Sequence, residues 1–295
     1  MTGRQRALLL SLAAVGAAGL VVARRRSVRD RLRLEPLWTR VAGCWIHTRV
    51  ASGPGGEALP VVLVHGYGVS GSYMAPLARQ LAAELPVFVP DLPGHGRSGK
   101  PDRAFDVPGL AEVLHEWMET VGLGRAAFVA NSMGCQIVAE LAVRHPELVD
   151  RLVLIGPTAD AGARTVRQQV WRVLRVALEE RPSLIPLVIA DYLRAGPGRL
   201  VEELRAMLDH RIERSLPRIA APALVVRGED DHISPQPWAE EVSSLLGTGR
   251  VLVVDDAGHA LNYSDPDELA KLIRPFLLGI TDPSAAKPAV SRDSR

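Results

Sequence analysis

Two cysteines, Cys44 and Cys135, are all that the 295 residues contain. That scarcity excludes a disulfide framework and a four-thiolate zinc site. No histidine pair shows the H-E-x-x-H spacing that sets two imidazoles on one helical face, so a metal centre has no support in the sequence, and no cofactor is implied. Internal repeats are absent. A strong charge of one sign is missing too: 35 basic residues stand against 33 acidic ones, a net of +2. The chain therefore offers no basic body for nucleic acid. Nor is it short of apolar residues, which at 47% exclude a mainly disordered chain and leave room for one large domain or two modest ones.

The near-zero charge averages two unlike parts. Residues 1–33 hold eight arginines and one acid, Asp30, a net of +7, and the remaining chain holds 27 basic against 32 acidic residues, a net of −5. Ala7 to Ala23 is an uncharged, mostly apolar run between Arg4/Arg6 and Arg24–Arg26. As a helix it would extend about 25 Å, near the short limit for a hydrocarbon core of about 30 Å. Three readings stay open: a membrane anchor, an apolar helix packed on the body, and a cleaved signal peptide. Val21-Val22-Ala23 is a poor cleavage motif and the arginines after it disfavour export, so the anchor is preferred. The basic excess on its C-terminal side then expects a membrane-associated chain with its body in the cytoplasm. Without the anchor, a cytoplasmic protein is expected.

From Leu34 onward strands and helices alternate. Val41–Val50, Leu59–Val64, Pro86–Pro90, Ala126–Ala130, Arg151–Ile155, Ala221–Arg227 and Arg250–Val254 read as strands, several of them continuous apolar runs suited to burial on both faces. Tyr73–Leu85, Val107–Val121, Met133–Arg144 and Ser264–Leu278 read as helices, the last with Ser264 or Asp265 as its cap. Such alternation expects an α/β fold with a mostly parallel sheet covered on both faces. One stretch breaks the pattern. Residues 156–220 contain no convincing strand, but helical spacing over Arg164–Glu180, Leu184–Leu193 and Leu200–Ile212. They read as a helical cap inserted between two halves of one core, 34–155 and 221–280. Its Trp171, Leu184, Leu187 and Val188 either line a pocket or pack the cap helices, and Arg164, Arg167, Arg172 and Arg175 read as a solvated face. The tail, 281–295, rich in Pro, Ser and Ala, is expected to be disordered.

The chemistry gathers in loops that follow strands. In Ala130-Asn131-Ser132-Met133-Gly134 a serine stands between a strand and a helix, with small residues two positions either side. A sharp turn there pushes the hydroxyl out of the sheet, and small flanks let the two backbones approach. The helix start behind Ser132 also presents unpaired N–H groups to a developing oxyanion. The plainer alternative is that Ser132 caps the helix.

Other segments resolve into a recognisable order. His65-Gly66-Tyr67-Gly68, Asp91-Leu92-Pro93-Gly94-His95-Gly96-Arg97-Ser98, the turn at Ser132, Gly228-Glu229-Asp230-Asp231 and Gly258-His259 succeed one another as in the α/β-hydrolase superfamily. The chain resembles its esterase- and lipase-like members with a helical cap over about residues 40–280. The resemblance implies Ser132 as nucleophile, His259 as general base then acid, and Asp231 as orienting acid. Asp230 is the close rival of Asp231. Backbone N–H groups of Met133 and Tyr67 would form the oxyanion hole. His65 and His95 are assigned hydrogen-bonding roles, and His115 and His145 surface or packing roles. The implied activity is hydrolysis of a small-molecule carboxylic ester, lipid-like if the anchor is real, through an acyl-enzyme. Departures are Ala130 for the usual first elbow glycine, the bulky Tyr67-Gly68-Val69 loop, and Ala260 after the catalytic Gly-His. Carbon–carbon bond hydrolases share the Asn-Ser-Met-Gly elbow and a cap, and are the enzymatic alternative. Acyl transfer, thioester hydrolysis and cofactor-free peroxidation also use this framework. A non-catalytic ligand-binding protein of the same fold is the other alternative.

Overall fold

The computed structural model describes residues 33–53, 58–247 and 251–280. Residues 7–23, most of the glycine-rich turn 51–57 and the tail 281–295 lie outside the described residues. Among those described, no helix is long and apolar enough to cross a membrane.

Eight strands form one sheet: β1 (Glu35–Val41), β2 (Cys44–Ala51), β3 (Val61–Val64), β4 (Val87–Pro90), β5 (Ala126–Asn131), β6 (Val149–Ile155), β7 (Ala223–Gly228) and β8 (Val251–Val254). Their spatial order is β1-β2-β4-β3-β5-β6-β7-β8. β1 and β2 pair antiparallel, as do β2 and β4, and every pairing from β4 through β3 to β8 is parallel. Each parallel step needs a crossover, supplied by α1 (Gly71–Leu81), α2 (Val107–Val121), α3 (Met133–Arg144) and α8 (Gln236–Leu245). The chain between β6 and β7 carries α4 (Val166–Glu179), α5 (Leu184–Ala195), α6 (Pro197–Asp209) and α7 (Ile212–Ser215). After β8 come α9 (Leu261–Ser264) and α10 (Pro266–Leu277).

The apolar strands are buried from both sides because alternate residues serve two cores. Val62, Val64, Phe128, Leu152 and Leu154 face Leu114, Met118, Ile137 and Trp238, from α2, α3 and α8. Val61, Leu63, Val129, Val153 and Ile155 face Met74, Leu77, Ile273 and Phe276, from α1 and α10. A period of two along each strand thus fills both layers, which is why these segments read as unbroken hydrophobic runs.

Register places the site. Val64 pairs with Ala130, Asn131 with Ile155, and Gly228 with Val254, so the carboxyl ends of the parallel strands finish at one edge. In open α/β sheets that edge is where ligands bind.

Several boundaries differ from those the sequence suggests. The single strand over Val41–Val50 is a hairpin, β1 and β2, turning at Ala42 and Gly43, both at positive φ. α1 starts at Gly71, with the Ser70 hydroxyl accepting from the Ser72 N–H, and stops at Leu81. α8, not anticipated, starts behind Pro235. Ser264 does not cap the last helix but ends α9, and Asp265, at the cap position, makes no side-chain capping bond; its Oδ1 accepts from Arg181 (2.6 Å).

Candidate active site

Ser132 sits alone between β5 and α3, at φ 57° and ψ −123°. A non-glycine residue with positive φ is held there by its surroundings. Its N–H donates to the Ile155 carbonyl (2.9 Å), and its carbonyl accepts from Cys135 (2.9 Å). The side chain makes no capping hydrogen bond, so the capping explanation of this serine is overturned. The turn is tight. A Cβ on Gly134 would stand 2.6 Å from the Val64 carbonyl oxygen, and one on Gly66 2.9 Å from the Ser132 Cβ. Ala130, fully buried, shows that a methyl group is tolerated at the first small position.

The loops after β7 and β8 bring the next pair together. Asp231 Oδ2 lies 2.8 Å from His259 Nδ1, and Asp231 Oδ1 accepts from the Ile233 and Ser234 N–H groups at 2.9 Å each. Both carboxylate oxygens are therefore committed and the group is fully buried. Asp230, Asp255 and Asp256 are exposed. Of the nearby acids, Asp231 is the one that the structure pairs with His259.

Ser132, His259, Gly66 and Tyr67 line one cavity of about 380 Å³. Its other walls are largely apolar, and most of that apolar lining comes from the helical insertion: Val173 and Val176 of α4, Leu184 and Val188 of α5, Leu204 and Met207 of α6. Leu184 and Val188 thus line the cavity, whereas Leu187 packs against the core and Trp171 is exposed at 70%. The Tyr67 hydroxyl donates to the Leu200 carbonyl (2.9 Å), tying the loop after β3 to α6. Met133 is the first residue of α3, where N–H groups have no partner within the helix.

Residues 61–272 match the model of the Alpha/beta hydrolase family. The chain belongs to that family. This α/β hydrolase is 28% identical over 244 residues to RutD of Yersinia enterocolitica, named as a carbamate hydrolase, covering 75% of this chain and 88% of that one. It is 28% identical over 247 residues to the pimeloyl-[acyl-carrier protein] methyl ester esterase of Neisseria meningitidis, covering 75% and 78%. Among solved structures it is similar to a membrane phospholipase A, described as a bacterial virulence factor, at TM-score 0.72 and 26% identity, covering 95% of this chain and 99% of that one.

Electrostatics in the α/β hydrolase sorts its buried histidines. Burial works to lower the His259 pKa, but the charge and hydrogen bond of Asp231, with the nearby Glu180 charge, outweigh it and hold the imidazole above its ordinary value. His65 is the opposite case. Burial and the neighbouring His95 drive it down to about 3, so it is neutral. Its Nε2 accepts from the Leu92 N–H (3.0 Å), which leaves Nδ1 to donate to the Gly66 carbonyl (2.9 Å). His95 Nε2 meets Glu203 Oε2 of α6 at 3.0 Å. Both histidines organise loops, as their motifs suggested. Asp91, burial notwithstanding, is held below the usual carboxylate range by bonds from His47, Arg49 and the Arg97 N–H.

Three residues at this site escaped the sequence. Asn131 Nδ2 donates to the His259 carbonyl (3.2 Å), bracing the histidine loop from the elbow. Gly156, at φ 52°, has no room for a side chain: a Cβ would lie 2.7 Å from Asp231 Oδ2 and 2.9 Å from His259 Nδ1. Glu180, just past α4, accepts from the Ala260 N–H at 2.7 Å and from the Ser264 hydroxyl at 3.1 Å. Burial pushes its carboxyl above the ordinary range, against those hydrogen bonds. The one signal for Gly156 was a glycine directly after a buried strand; Glu180 lies 80 residues from its partner and had none.

The four arginines of α4 and its approach divide. Arg164 reaches the carbonyls of Leu208 and His210 and pairs with Glu213, and Arg172 bonds Asp160 (2.6 Å) and the Ile233 carbonyl (3.0 Å). These two brace the insertion, which corrects the reading of a uniformly solvated face; Arg167 and Arg175 are exposed. Elsewhere Glu112, His115 and His145 bring donor atoms within 4.8 Å of one another. The two imidazoles stack at 3.8 Å with planes 26° apart, so their in-plane lone pairs do not converge on one point.

Proposed function

We propose that this α/β hydrolase is a serine esterase working through an acyl-enzyme, with Ser132, His259 and Asp231 as its catalytic residues. A neutral serine hydroxyl is a poor nucleophile until a base takes its proton. His259 is suited to that role, because Asp231 holds Nδ1 as the protonated nitrogen (2.8 Å) and leaves Nε2 free to accept. As Ser132 Oγ attacks the ester carbonyl, its proton passes to His259 Nε2. The oxyanion is received by the Met133 and Tyr67 N–H groups. Collapse of the tetrahedral intermediate breaks the ester C–O bond, and the alcohol leaves with the proton from His259. Water then repeats the sequence on the acyl-enzyme, giving Ser132 and a carboxylic acid. Asp231, hydrogen-bonded to Nδ1, stabilises the imidazolium.

The observation that carries this reading is His259, held by Asp231, lining the same cavity as a serine whose hydroxyl is not spent on capping. The substrate class follows from the walls. Among the described residues lining the cavity there is no lysine or arginine and one carboxylate, Glu180, against mostly apolar side chains. That favours a neutral, apolar acyl group over one bearing a free carboxylate. A similar protein named as a methyl ester esterase supports the ester class. A panel of aryl esters and thioesters of graded acyl length, with a dienone C–C substrate, tests the proposal. Turnover is expected on neutral esters and lost in Ser132→Ala. Turnover of the C–C substrate alone, or undiminished ester turnover in Ser132→Ala, overturns it.

A further inference from the structure

Helix α5 carries two adjacent apolar stripes, and the cavity accounts for only one of them. Leu184, Val188 and Tyr192, at i, i+4 and i+8, line the cavity. Ile185, Ile189 and Leu193, one position on, form a second stripe exposed at 49%, 53% and 78%. A helix with one face on a core and the other in water carries polar residues at such positions. On α4 the same spacing sets Trp171, exposed at 70%, between Arg167 and Arg175, both also exposed. Large exposed apolar side chains concentrate here: seven of the eleven found among the described residues fall between Val166 and Val201.

Charge singles out the same segment. Residues 156–220 contain eleven arginines, no lysine and eight acids, a net of +3, while the rest of the chain from residue 34 holds 16 basic and 24 acidic residues, a net of −8. An arginine guanidinium binds phosphate through two parallel hydrogen bonds, and aromatic and basic side chains beside an apolar stripe suit the interface of a bilayer.

We infer that the outer face of the helical insertion docks on an anionic phospholipid bilayer, with Trp171, Ile185, Ile189 and Leu193 entering the headgroup boundary and Arg167, Arg175 and Arg194 meeting phosphates. Because α5 presents one stripe to the bilayer and the next to the cavity, an apolar ester crosses from lipid to Ser132 past a single helix. That second statement rests on the esterase reading; the docking does not.

The test uses the full-length chain carrying Leu193→Cys labelled with an environment-sensitive nitrobenzoxadiazole. Both native cysteines are buried, so the label reports on position 193. Vesicles of equimolar phosphatidylglycerol and phosphatidylcholine are expected to shift the emission to the blue and raise it at least about twofold; high salt should reverse the change, as screening requires. Phosphatidylcholine alone should produce little. No response to the anionic vesicles overturns the docking. So does a label already in an apolar environment without vesicles, whether covered by residues 7–23 of the same chain or, if concentration-dependent, by a second copy. In a second arm, the double variant Ile189→Glu/Leu193→Glu should lower turnover of an ester held in the anionic vesicles at least tenfold and leave a soluble short-chain aryl ester unchanged. An equal fall on both substrates contradicts the transfer route. Absence of turnover on either ester in the parent removes the esterase reading, and the label then decides the docking by itself.

Discussion

The strand-end loops and the helical insertion face each other across one cavity and are built on opposite principles. The loops are over-determined. Asp231 has all its carboxylate bonds made, Gly156 and Gly134 have no room for a methyl group, and Ser132 is pinned through its N–H and its carbonyl. The insertion is tied to the core by many polar bonds, among them Tyr67 to Leu200, His95 to Glu203, Gln136 to Met207 and Glu180 to Ala260, yet it leaves broad apolar surface exposed. Rigid geometry serves bond-making, where a misplacement of about 1 Å costs about a hundredfold in rate. On the esterase proposal, the apolar wall that the insertion contributes would govern the choice of substrate.

If that contrast holds, substitutions on the two sides must differ in kind. The largest effect is expected for Asp231→Asn, which keeps the shape but unsettles the His259 tautomer: kcat on a neutral aryl ester should fall by about 10⁴ with the melting temperature little changed. An activity loss below tenfold would move the acid elsewhere. In the sheet, Leu63→Ala should cost about 2–5 kcal/mol in urea unfolding, because Leu63 is fully buried in the layer under α1 and α10. Gly156→Ala should lower kcat by about a hundredfold through displacement of the Asp231–His259 pair, with KM affected far less.

Smaller effects probe the ties between the two regions. The acid limb of kcat/KM should lie above the ordinary histidine pKa, since His259 must be neutral to act as base and its pKa is raised. Glu180→Gln removes a negative charge that favours the imidazolium, so the limb should move to lower pH while the hydrogen bond from Ala260 survives. A limb that does not move would separate Glu180 from His259. At the far end of the scale, Ile189→Ser on the exposed stripe should change unfolding free energy by less than about 0.5 kcal/mol.

The same division governed what could be read in advance. Ser132 and Asp231 sit in loops that follow buried strands, and His259 in the loop after the half-buried β8; in each case an apolar run and a short motif mark the spot within a few residues. The parallel core was equally legible, because strands covered on both faces become continuous apolar runs. β1 was missed since it is a half-exposed edge strand with Pro36 inside it, so no such run forms. Asn131, Gly156 and Glu180 act through tertiary approach: what matters is which backbone arrives beside them, and no local pattern encodes that. Arg164 and Arg172 misled for the same reason, since their sequence looks like a solvated helix face and their partners, Glu213 and Asp160, lie beyond the helix. The capping alternative for Ser132 was undecidable from residue types, and the side chain's lack of a capping bond resolved it.

The most direct test of the central claim is covalent. An active-serine fluorophosphonate should label the full-length chain at one equivalent, peptide mass spectrometry should place the adduct on Ser132, and the Asp231→Asn variant should label far more slowly. An adduct on another serine, or an unlabelled parent under conditions where esters are turned over, would contradict the account.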